Sequence, residues 1–587
     1  MLGSLKHRGP DDEALVEFGN LSLGYRRLAV IDLETGNQPF FNEDKSLCLF
    51  YNGEIYNFRS LRQKLSSHQF KTQSDGEVIV HGFEEWGEGV FEKLKGMFAV
   101  ALYDLKNKEL FLVRDHLGIK PLYYHFDRPN QRLLFASEIR ALLQDSRVSR
   151  TPNQRIIYQY LAHRVHDHSQ ETFFEEVKKL LPGEMMKIDL AADGLQINKK
   201  KFWSLSSMVE TPRRGVSTEQ VAEEFRHLLQ ESVRLRLVSD VPVGVCLSGG
   251  LDSSTISLLI DDLACLPAGR LGGPQKTFSA VFPGQKNDER EFIDEVNQKT
   301  SAQPHFVYPQ SQGLFAELED LVRVQEEPFI SSGPYAQYCV MREASREVKV
   351  LLDGQGGDEL LAGYDPYFFV YLKNLLQDKN LILLAQELLA VRGLLSKFVG
   401  QRWRQQAATG AVFLLRPEFR GKRNSELQLA PSSSNLKQRL YEDVFKYSLP
   451  ALLRYEDKNS SAFSLESRVP FLDPDLVEFI FGLPEDLIIK NGVNKYILRQ
   501  AMKDKLPSKI YQRKWKVGFT TPEEVWFRRE EDKVWEIFRS AGFRSRPYWD
   551  AEKVGHAFER FLQKGEGDSM LFWRFLNTEV WLRVFMD

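Results

Sequence analysis

The sequence has few cysteines, little net charge and no long uninterrupted apolar run. Only four of its 587 residues are cysteine, Cys48, Cys246, Cys265 and Cys339, and their spacing fits neither disulfide pairing nor a metal site. Such sparse, unpaired cysteines suit a reducing cytosol. The formal net charge is -3, so nothing electrostatic favours nucleic acid or an anionic membrane as a partner.

The most apolar long stretch, residues 380–399, is interrupted by Gln386, Glu387 and Arg392. A membrane-spanning helix needs about 20 apolar residues with few or no charges, so we expect a helix with one buried face instead. The N-terminal sequence MLGSLKHRGPDDEAL lacks the apolar core of a signal peptide. These absences predict a cytoplasmic protein with no membrane partner.

Length and hydrophobic periodicity predict two domains, since 587 residues exceed what a single core usually holds. Residues 1–200 contain short alternating runs separated by turn residues, typical of a strand-rich α+β domain. The polar segment NKKKFWSLSSMVETPRRGVS indicates a linker, bounded at 201–217. Residues 218–587 open with a helix capped at Ser217 or Thr218. They then alternate β-rich runs with helices, which predicts a parallel sheet and a helical insertion at about 367–449.

A turn with two consecutive glycines, here called a glycine corner, interrupts the apolar run VPVGVCLSGGLDSSTISLL. If VPVGVCL is a parallel strand and SSTISLLI a helix, Ser248, Gly249 and Gly250 lie at the carboxyl end of a strand, where open α/β sheets bind ligands. Glycine lets backbone N–H groups approach an anion, and the helix N-terminus adds positive potential. The corner suits phosphate but is no Walker A loop, because the Lys-Ser/Thr pair is missing. A glycine turn without a ligand is the alternative.

A second corner of the same kind occurs in VKVLLDGQGGDELLAGY. It again reads as strand, glycine turn and helix, with Asp358 at the helix start. Magnesium pyrophosphate needs hard oxygen ligands, and Asp252 and Asp358, one from each corner, are the candidates. The alternative is that each aspartate only offsets a helix dipole.

Nine motifs in a fixed order resemble one family over nearly the whole chain. The first half carries HRGPDD, RRLAVID, YNGEIYN, TQSDGEV and RDHLGIKPLYY, and the second half carries SGGLDSS, DGQGGDE, SLESRVPFLD and NKYILRQA. SGGLDSS alone resembles the pyrophosphate loop of ATP pyrophosphatases, and the series is similar to the glutamine-hydrolysing asparagine synthetases. The resemblance implies an α+β domain with a class II amidotransferase-like antiparallel sandwich, followed by an ATP pyrophosphatase-like α/β domain.

The resemblance implies that the C-terminal domain activates aspartate with ATP as β-aspartyl-AMP, which ammonia converts to asparagine. Adenylation is reasonable because a carboxylate is a poor electrophile, and a leaving group divides one difficult step into two. Lys495 is implied beside the phosphates, where a cation stabilises the transition state; an exposed salt bridge is its alternative. The implied ATP- and pyrophosphate-binding residues are Leu247, Ser248, Gly249, Gly250, Leu251, Asp252, Ser253, Val281, Asp353 and Gly354.

The same resemblance implies a glutamine site in the N-terminal domain. Arg27 would bind the α-carboxylate and Asp75 the α-ammonium group, with Glu54 beside them. The Asn52 side chain and the Gly53 N–H would form an oxyanion hole for the tetrahedral intermediate. Taken alone, YNGEIY also fits a hairpin turn, since Asn-Gly favours that geometry.

Two positions depart from the family pattern. The family nucleophile is an N-terminal cysteine a few dozen residues before HRGPD, whereas here His7 follows Met1 closely and residue 2 is Leu2. We expect a missing first strand with its cysteine, and we expect the chain as given to use free ammonia; a protein without glutaminase is the alternative. Gln355 stands where relatives often carry glutamate, and an amide can orient an intermediate but cannot accept a proton.

Two other functions stay open at this point. A related amide ligase, similar to a β-lactam synthetase or a peptide-modifying cyclase, would adenylate another carboxylate, and those relatives often lack a working glutaminase. A non-catalytic ATP-binding protein would not need Asp252, Asp358 and Lys495. The expected ligands are ATP, Mg²⁺, aspartate and either glutamine or ammonia, and a homodimer is compatible with the sequence.

Overall fold

A computed structural model describes residues 1–191, 194–205, 217–264, 274–393, 411–421, 435–514 and 520–587. Antiparallel sheets fill the N-terminal part, and a parallel sheet with helices fills the C-terminal part. The fold class predicted from the sequence is therefore confirmed. Within the described residues no helix combines the length and apolar composition needed to cross a membrane.

The N-terminal part is built around a six-stranded antiparallel sheet whose two faces are both covered. Leu49 packs with the neighbouring helices, whereas Phe50, one residue later, packs toward the smaller sheets, as the period of two requires. In spatial order its strands are Gln196–Lys201, Glu184–Asp189, Glu109–Arg114, Gly96–Asp104, Leu47–Ile55 and Phe40–Phe41. The smaller sheets are Asp12–Phe18 with Leu21–Arg27, and Arg132–Ala136, Tyr123–Asp127 and Lys178–Lys179. The α-helices are Phe58–Lys64, Glu77–Trp86, Val90–Lys93, Ile139–Leu142 and Gln154–His163.

The C-terminal part contains a five-stranded, all-parallel sheet. Its strands in spatial order are Gln303–Val307, Lys276–Ala280, Val243–Cys246, Val350–Leu352 and Glu466–Arg468. The β-rich runs predicted the first four strands, but the fifth has the polar sequence Glu-Ser-Arg and was missed. It is nevertheless buried, because Arg468 Nε donates to Glu466 Oε1 at 2.8 Å and the two charges satisfy each other.

Helices make up most of the remaining C-terminal chain. Those before the fourth strand are Thr218–Arg236, Leu251–Ala264, Arg290–Thr300, Ser311–Ala316, Leu318–Gln325 and Gly333–Ala344. Those between the fourth and fifth strands are Gly357–Leu360, Pro366–Gln377, Leu381–Ala390, Ala411–Leu414, Pro417–Gly421, Leu436–Glu442 and Leu449–Ser461, with a π-helix at Asp443–Tyr447. Those after the fifth strand are Pro474–Phe481, Tyr496–Ala501, Ser508–Gln512, Glu523–Arg529, Glu531–Arg539, Ala541–Ser545, Ala551–Lys564 and Ser569–Phe585.

One detail of the chain organisation differs from expectation. Most of the predicted linker, residues 206–216, lies outside the described residues, and the lysines of NKKK belong to the strand Gln196–Lys201 rather than to a linker.

The helix at 380–399 buries one face in its described part, as predicted. Leu383 and Leu384 pack against the core, and Val391 is buried in it, whereas Ile382 on the other side is 78% exposed. Glu387 lies on the same face as the leucines and is buried, because it accepts hydrogen bonds from the backbone of Asn491 and Gly492.

A buried charge network joins the two parts of the chain. Arg8, from the motif HRGPDD, donates to both carboxylate oxygens of Asp457 at 2.8 and 3.0 Å and to Glu138 at 3.1 Å. Lys458, the next residue, pairs with Glu326 and lies 3.9 Å from Glu138. Burial would raise the pKa of Asp457, but Arg8 and Lys120 outweigh it and hold that pKa below its usual value. The motif residue Arg8 thus serves the interface between the two parts.

We expect Arg8→Met to destabilise the protein strongly, because Asp457 loses its two hydrogen bonds to Arg8 while buried, with only Lys120 left at 3.8 Å. Removing one partner of a buried pair costs about 3–5 kcal/mol. The matched control is Arg323→Met, since Arg323 and Glu319 form an exposed pair at 3.7 Å, and exposed pairs contribute about 0–1 kcal/mol. Thermal unfolding followed by calorimetry measures both variants. Equal unfolding temperatures for the two would contradict the assigned role of Arg8.

Candidate functional site

The two glycine corners lie side by side at one edge of the parallel sheet. The strands Val243–Cys246 and Val350–Leu352 are hydrogen-bonded neighbours that run in the same direction. Their carboxyl ends therefore deliver Ser248–Gly250 and Asp353–Gly356 to the same place. A β-carbon added to Gly354 would lie 3.1 Å from the Asp252 side chain, so the close approach of the corners favours glycine there.

The first corner holds its shape through its own serines. The Ser248 N–H donates to Ser253 Oγ at 3.2 Å, and the two hydroxyl oxygens lie 3.0 Å apart. Gly249 has a φ of 73°, a left-handed conformation that favours glycine. The helix Leu251–Ala264 then starts directly at the corner, so its positive end faces the space outside the sheet.

A cavity of about 120 Å³ opens between the corners. All but two of the residues that were predicted to surround ATP line this cavity. The exceptions are Gly249, whose carbonyl faces Arg513 at 3.4 Å, and Val281, which is buried beyond the sheet end. The predicted residues that line the cavity are Leu247, Ser248, Gly250, Leu251, Asp252, Ser253, Asp353, Gly354, Gln355, Asp358 and Lys495.

Lys495 lies between the two candidate metal ligands. Its ammonium group pairs with Asp252 and lies 2.6 Å from Asp358 Oδ1, although the three residues are far apart in sequence. Burial lowers the pKa of Lys495, against the effect of the adjacent Asp252. A β-carbon on Gly363 would lie 1.8 Å from Asp358 Oδ1 and 2.7 Å from Lys495 Cε. The packing therefore leaves no room for a side chain behind this triad.

Sequence reasoning missed several residues of the cavity wall. Arg499 and Arg513 add positive charge, and Phe278 and Val340 add an apolar surface. Arg513 is held by Glu289 at 2.5 Å and lies over the Phe292 ring. Arg499 stands inside the quoted motif NKYILRQA, so its sequence signal was available. No comparable signal marked Phe278 and Val340, because a single apolar residue in a strand or a helix is typical of the hydrophobic core.

Gln355 contacts a buried carboxylate that the sequence gave no reason to select. The Gln355 side chain hydrogen-bonds Glu456, which also accepts hydrogen bonds from Gln337 and from Ser467 Oγ. Burial, with Asp353 nearby, raises the pKa of Glu456 well above its usual value. A titratable carboxyl group therefore lies behind the amide at the position where relatives often carry glutamate.

A second, larger cavity of about 650 Å³ lies in the N-terminal part. Asn52, Gly53 and Glu54 line it as predicted, but among the described residues Arg27 and Asp75 do not. The Arg27 guanidinium donates to the Asn37 side chain and to carbonyls of the 31–33 loop. The Asp75 carboxylate accepts from the Tyr51 hydroxyl and the Ile55 N–H at 2.6 Å each.

Carboxylates concentrate on one side of this cavity. Glu54 and Glu466 line it, and burial together with Asp75 and Glu466 raises the pKa of Glu54 well above its usual value. Arg468 lies 3.7 Å from Glu54, and the basic residues Arg8, Arg26, Lys120 and Arg132 also line the cavity. Because Glu466 and Arg468 come from the fifth strand of the parallel sheet, the C-terminal part forms a wall of the N-terminal cavity.

None of the three cysteines in the described residues lines the larger cavity. Burial raises the pKa of the Cys48 thiol to about 12 and also raises the pKa values of Cys246 and Cys339. Thiols with raised pKa values are poor nucleophiles at neutral pH. Cys265 lies outside the described residues.

Polar side chains lead from the larger cavity toward the cavity at the glycine corners. Lys120 lines the larger cavity and also a space of about 10 Å³ that Glu456, Ser460 and Ser467 enclose. Glu456 in turn hydrogen-bonds Gln337 and Gln355, which line the cavity at the glycine corners. A continuous series of polar side chains therefore runs from one cavity to the other.

Family comparisons agree with this arrangement. Residues 224–583 match the asparagine synthase family, and residues 1–203 match the glutamine amidotransferase domain. A Bacillus subtilis (strain 168) protein named asparagine synthetase [glutamine-hydrolyzing] 1 is 30% identical over 552 residues, which cover 89% of this chain and 83% of that protein.

Two further comparisons give weaker similarity. The Penicillium rubens protein named amidase chyE is 27% identical over 580 residues, covering 89% of this chain and 84% of its own length. A solved structure titled as the allosteric regulatory enzyme of purine biosynthesis is 15% identical and covers 54% of this chain and 87% of its own, with a TM-score of 0.26.

We expect Gly363→Ala to weaken binding of magnesium-ATP at least tenfold, about 1.4 kcal/mol, because the new methyl group displaces the Asp358 carboxylate from Lys495. Asp358 is a side chain that can move, so the fold should persist. Gly89→Ala is the control, since no atom lies within 4 Å of its added β-carbon. Calorimetric titration measures both affinities, and an unchanged affinity in Gly363→Ala would contradict the assigned role of the triad.

Proposed function

The chain belongs to the asparagine synthase family, and from this premise we propose that it converts aspartate to asparagine with ATP, through β-aspartyl-AMP. Membership supports the broader activity, ATP-dependent amide formation by a ligase. The observation that carries the proposal is the meeting of Asp252, Asp358 and Lys495 between two glycine corners. We assign the synthetase role to residues 218–587 and the amidotransferase role to residues 1–200, in a cytoplasmic protein.

In the first step an oxygen of the aspartate β-carboxylate attacks the α-phosphorus of ATP. The P–O bond to pyrophosphate breaks, and the charge that develops on the leaving oxygens needs fixed cations and N–H donors. The first glycine corner supplies backbone N–H groups at a helix N-terminus, and Lys495 supplies a buried cation. Phe278 and Val340 offer an apolar surface for the adenine base.

Asp252 and Asp358 fit the magnesium ion that pyrophosphate requires. Asp252 Oδ1 is buried and has no hydrogen-bond partner in the protein, as expected of an oxygen reserved for a ligand. Carboxylate oxygens are the ligands that Mg²⁺ prefers. When bound, the ion would neutralise phosphate charge, while Lys495 keeps the two carboxylates together without it.

In the second step the ammonia nitrogen attacks the acyl carbon, and the C–O bond to AMP breaks. The attacking nitrogen must also lose a proton, which the Gln355 amide cannot accept. We assign this role to Glu456, whose carboxyl group contacts the Gln355 side chain. Gln355 then orients the intermediate, and its hydrogen bond to Glu456 links that carboxyl group to the reacting atoms.

The N-terminal cavity fits a ligand with an ammonium group, because Glu54 and Glu466 line it and Asp75 lies behind it. We assign the Asn52 side chain and the Gly53 N–H as hydrogen-bond donors to the oxyanion that forms from glutamine. Arg27 would have to exchange its loop partners to reach a substrate carboxylate. Because no cysteine of the described residues lines this cavity, we propose free ammonia as the nitrogen source, reaching the acyl adenylate along the Lys120–Glu456 series.

A different carboxylate substrate is the second candidate. The similarity to a protein named amidase chyE shows that chains of this length and arrangement carry other names, and Gln355 departs from the usual glutamate. Arg499 and Arg513 would then select the shape and charge of the acid.

We expect pyrophosphate release from ATP and ammonium to be stimulated by aspartate and not by glutamate, asparagine or β-alanine derivatives. The expected product is asparagine in equal amount to pyrophosphate, as measured by coupled phosphate detection and amino-acid analysis. Replacing ammonium by glutamine should give little product. Stimulation by another acid alone would replace the aspartate assignment, and efficient use of glutamine by this chain would contradict the ammonia assignment.

We expect Glu456→Gln to raise the KM for ammonia and to change the pH profile, while the KM for ATP stays constant. Because the pKa of Glu456 is raised, its carboxylate form increases as the pH rises above the ordinary carboxyl range. At constant free ammonia the rate should therefore rise with pH in the native protein but not in the variant. Glu387→Gln, which alters a buried carboxylate away from both cavities, should keep the native profile.

A further inference from the structure

Four side chains of the N-terminal part converge outside both cavities. Glu43, His68, His81 and Glu84 each offer one ligand atom, and these atoms all lie within 4.8 Å of one another. Glu43 follows the strand Phe40–Phe41, and His68 precedes the helix Glu77–Trp86. His81 and Glu84 stand three residues apart on that helix, so they share one of its faces.

The spacing fits a tetrahedral metal ion. His68 Nδ1 lies 3.3 Å from Glu43 Oε1 and 3.8 Å from Glu84 Oε2, and His81 Nδ1 lies 3.4 Å from Glu43 Oε2. Zinc–nitrogen and zinc–oxygen bonds of about 2.0–2.2 Å place neighbouring tetrahedral ligands about 3.3 Å apart. Two of these contacts already have that separation, although they use different oxygens of Glu43. Because one ligand atom from each side chain lies within 4.8 Å of the others, small side-chain rotations would complete a tetrahedral site.

His81 is the strongest indication that a ligand belongs here. It is only 1% exposed, and its Nδ1 has no hydrogen-bond partner, whereas its Nε2 interacts with Glu77. A buried imidazole normally satisfies both nitrogens. Its Nδ1 points toward Glu43 at 3.4 Å, so a cation held between the two would satisfy a nitrogen that the protein leaves without a hydrogen bond.

Further carboxylates lie beside the second ring nitrogens of the two histidines, as they often do around bound metal ions. The Nε2 atoms of His81 and His68 face second carboxylates, Glu77 at 3.5 Å and Glu85 at 3.6 Å. Metal-binding histidines typically direct their other ring nitrogen to a carboxylate or carbonyl. Glu43 itself is oriented by the Gln69 N–H at 2.8 Å.

We propose that Glu43, His68, His81 and Glu84 form a zinc site. Two imidazoles and two carboxylates suit Zn²⁺, and their net charge of -2 matches a divalent ion. Glu43 and Glu84 are exposed, which gives the ion a path from solvent. With four protein ligands the site is structural, and it ties the 42–46 loop to the helix that follows Asp75.

The test is zinc binding by untagged, chelator-treated full-length protein. We expect one equivalent of zinc to remain after incubation and desalting, as measured by elemental mass spectrometry, together with a higher unfolding temperature. His68→Gln and Glu84→Gln should lose this equivalent. His556→Gln, which removes an exposed histidine elsewhere, should keep it. Substoichiometric zinc in the native protein, or full retention by both site variants, would overturn the proposal.

Cobalt substitution gives a readout that does not depend on stability. A Co²⁺ ion in a four-coordinate site should produce intense visible absorption in the native protein, and Glu84→Gln should reduce it. Glu84 is exposed, so this variant should keep the native circular dichroism spectrum even if His81→Gln fails to fold. Weak absorption typical of hexaaqua cobalt in the native protein would also overturn the proposal. Because the readout is metal content, it is independent of the synthetase reaction.

Discussion

The hydrogen-bonded pairing of Val243–Cys246 with Val350–Leu352 is the constraint on which the candidate site depends. Parallel strands end at the same edge of a sheet, so both glycine corners open into one cavity. The pairing also favours glycine at Gly354, because a β-carbon there would lie only 3.1 Å from the Asp252 side chain. Lys495 then joins the corners by bridging Asp252 and Asp358, three charges that would be costly to bury separately.

The fifth strand, Glu466–Arg468, links the two halves of the protein. It extends the parallel sheet on one side, while Glu466 lines the cavity of the N-terminal part. Ser467, between them, donates to Glu456 Oε1, which reaches the first site through Gln355. Residues of this one short strand therefore lie beside both cavities. A displacement of the strand would shift side chains at each of them. The Arg8–Asp457 pair holds the same region in place from the N-terminal side.

Local patterns predicted the fold well where burial follows periodicity. Alternating runs indicated the antiparallel strands, and apolar runs with helices between them indicated four strands of the parallel sheet. The strand Glu466–Arg468 escaped because its polar residues are buried by pairing rather than by hydrophobicity. The helix Leu381–Ala390 buries the face that carries Leu383 and Leu384, but its pattern did not reveal that the carboxylate of Glu387 is buried there too, with backbone N–H groups as partners. Arg27 likewise has loop carbonyls as partners, which no motif reveals.

The sequence by itself determined the fold class, the two glycine corners and half of the residues that line the cavity between them, because each of these is encoded within a short stretch of chain. Only the tertiary structure decided which distant side chains meet. Lys495 reaches Asp252, Glu456 lies behind Gln355, and His68 faces His81 and Glu43. Such meetings arise from strand order and helix packing, whose energies are spread over many residues, and they leave no pattern at the positions they bring together.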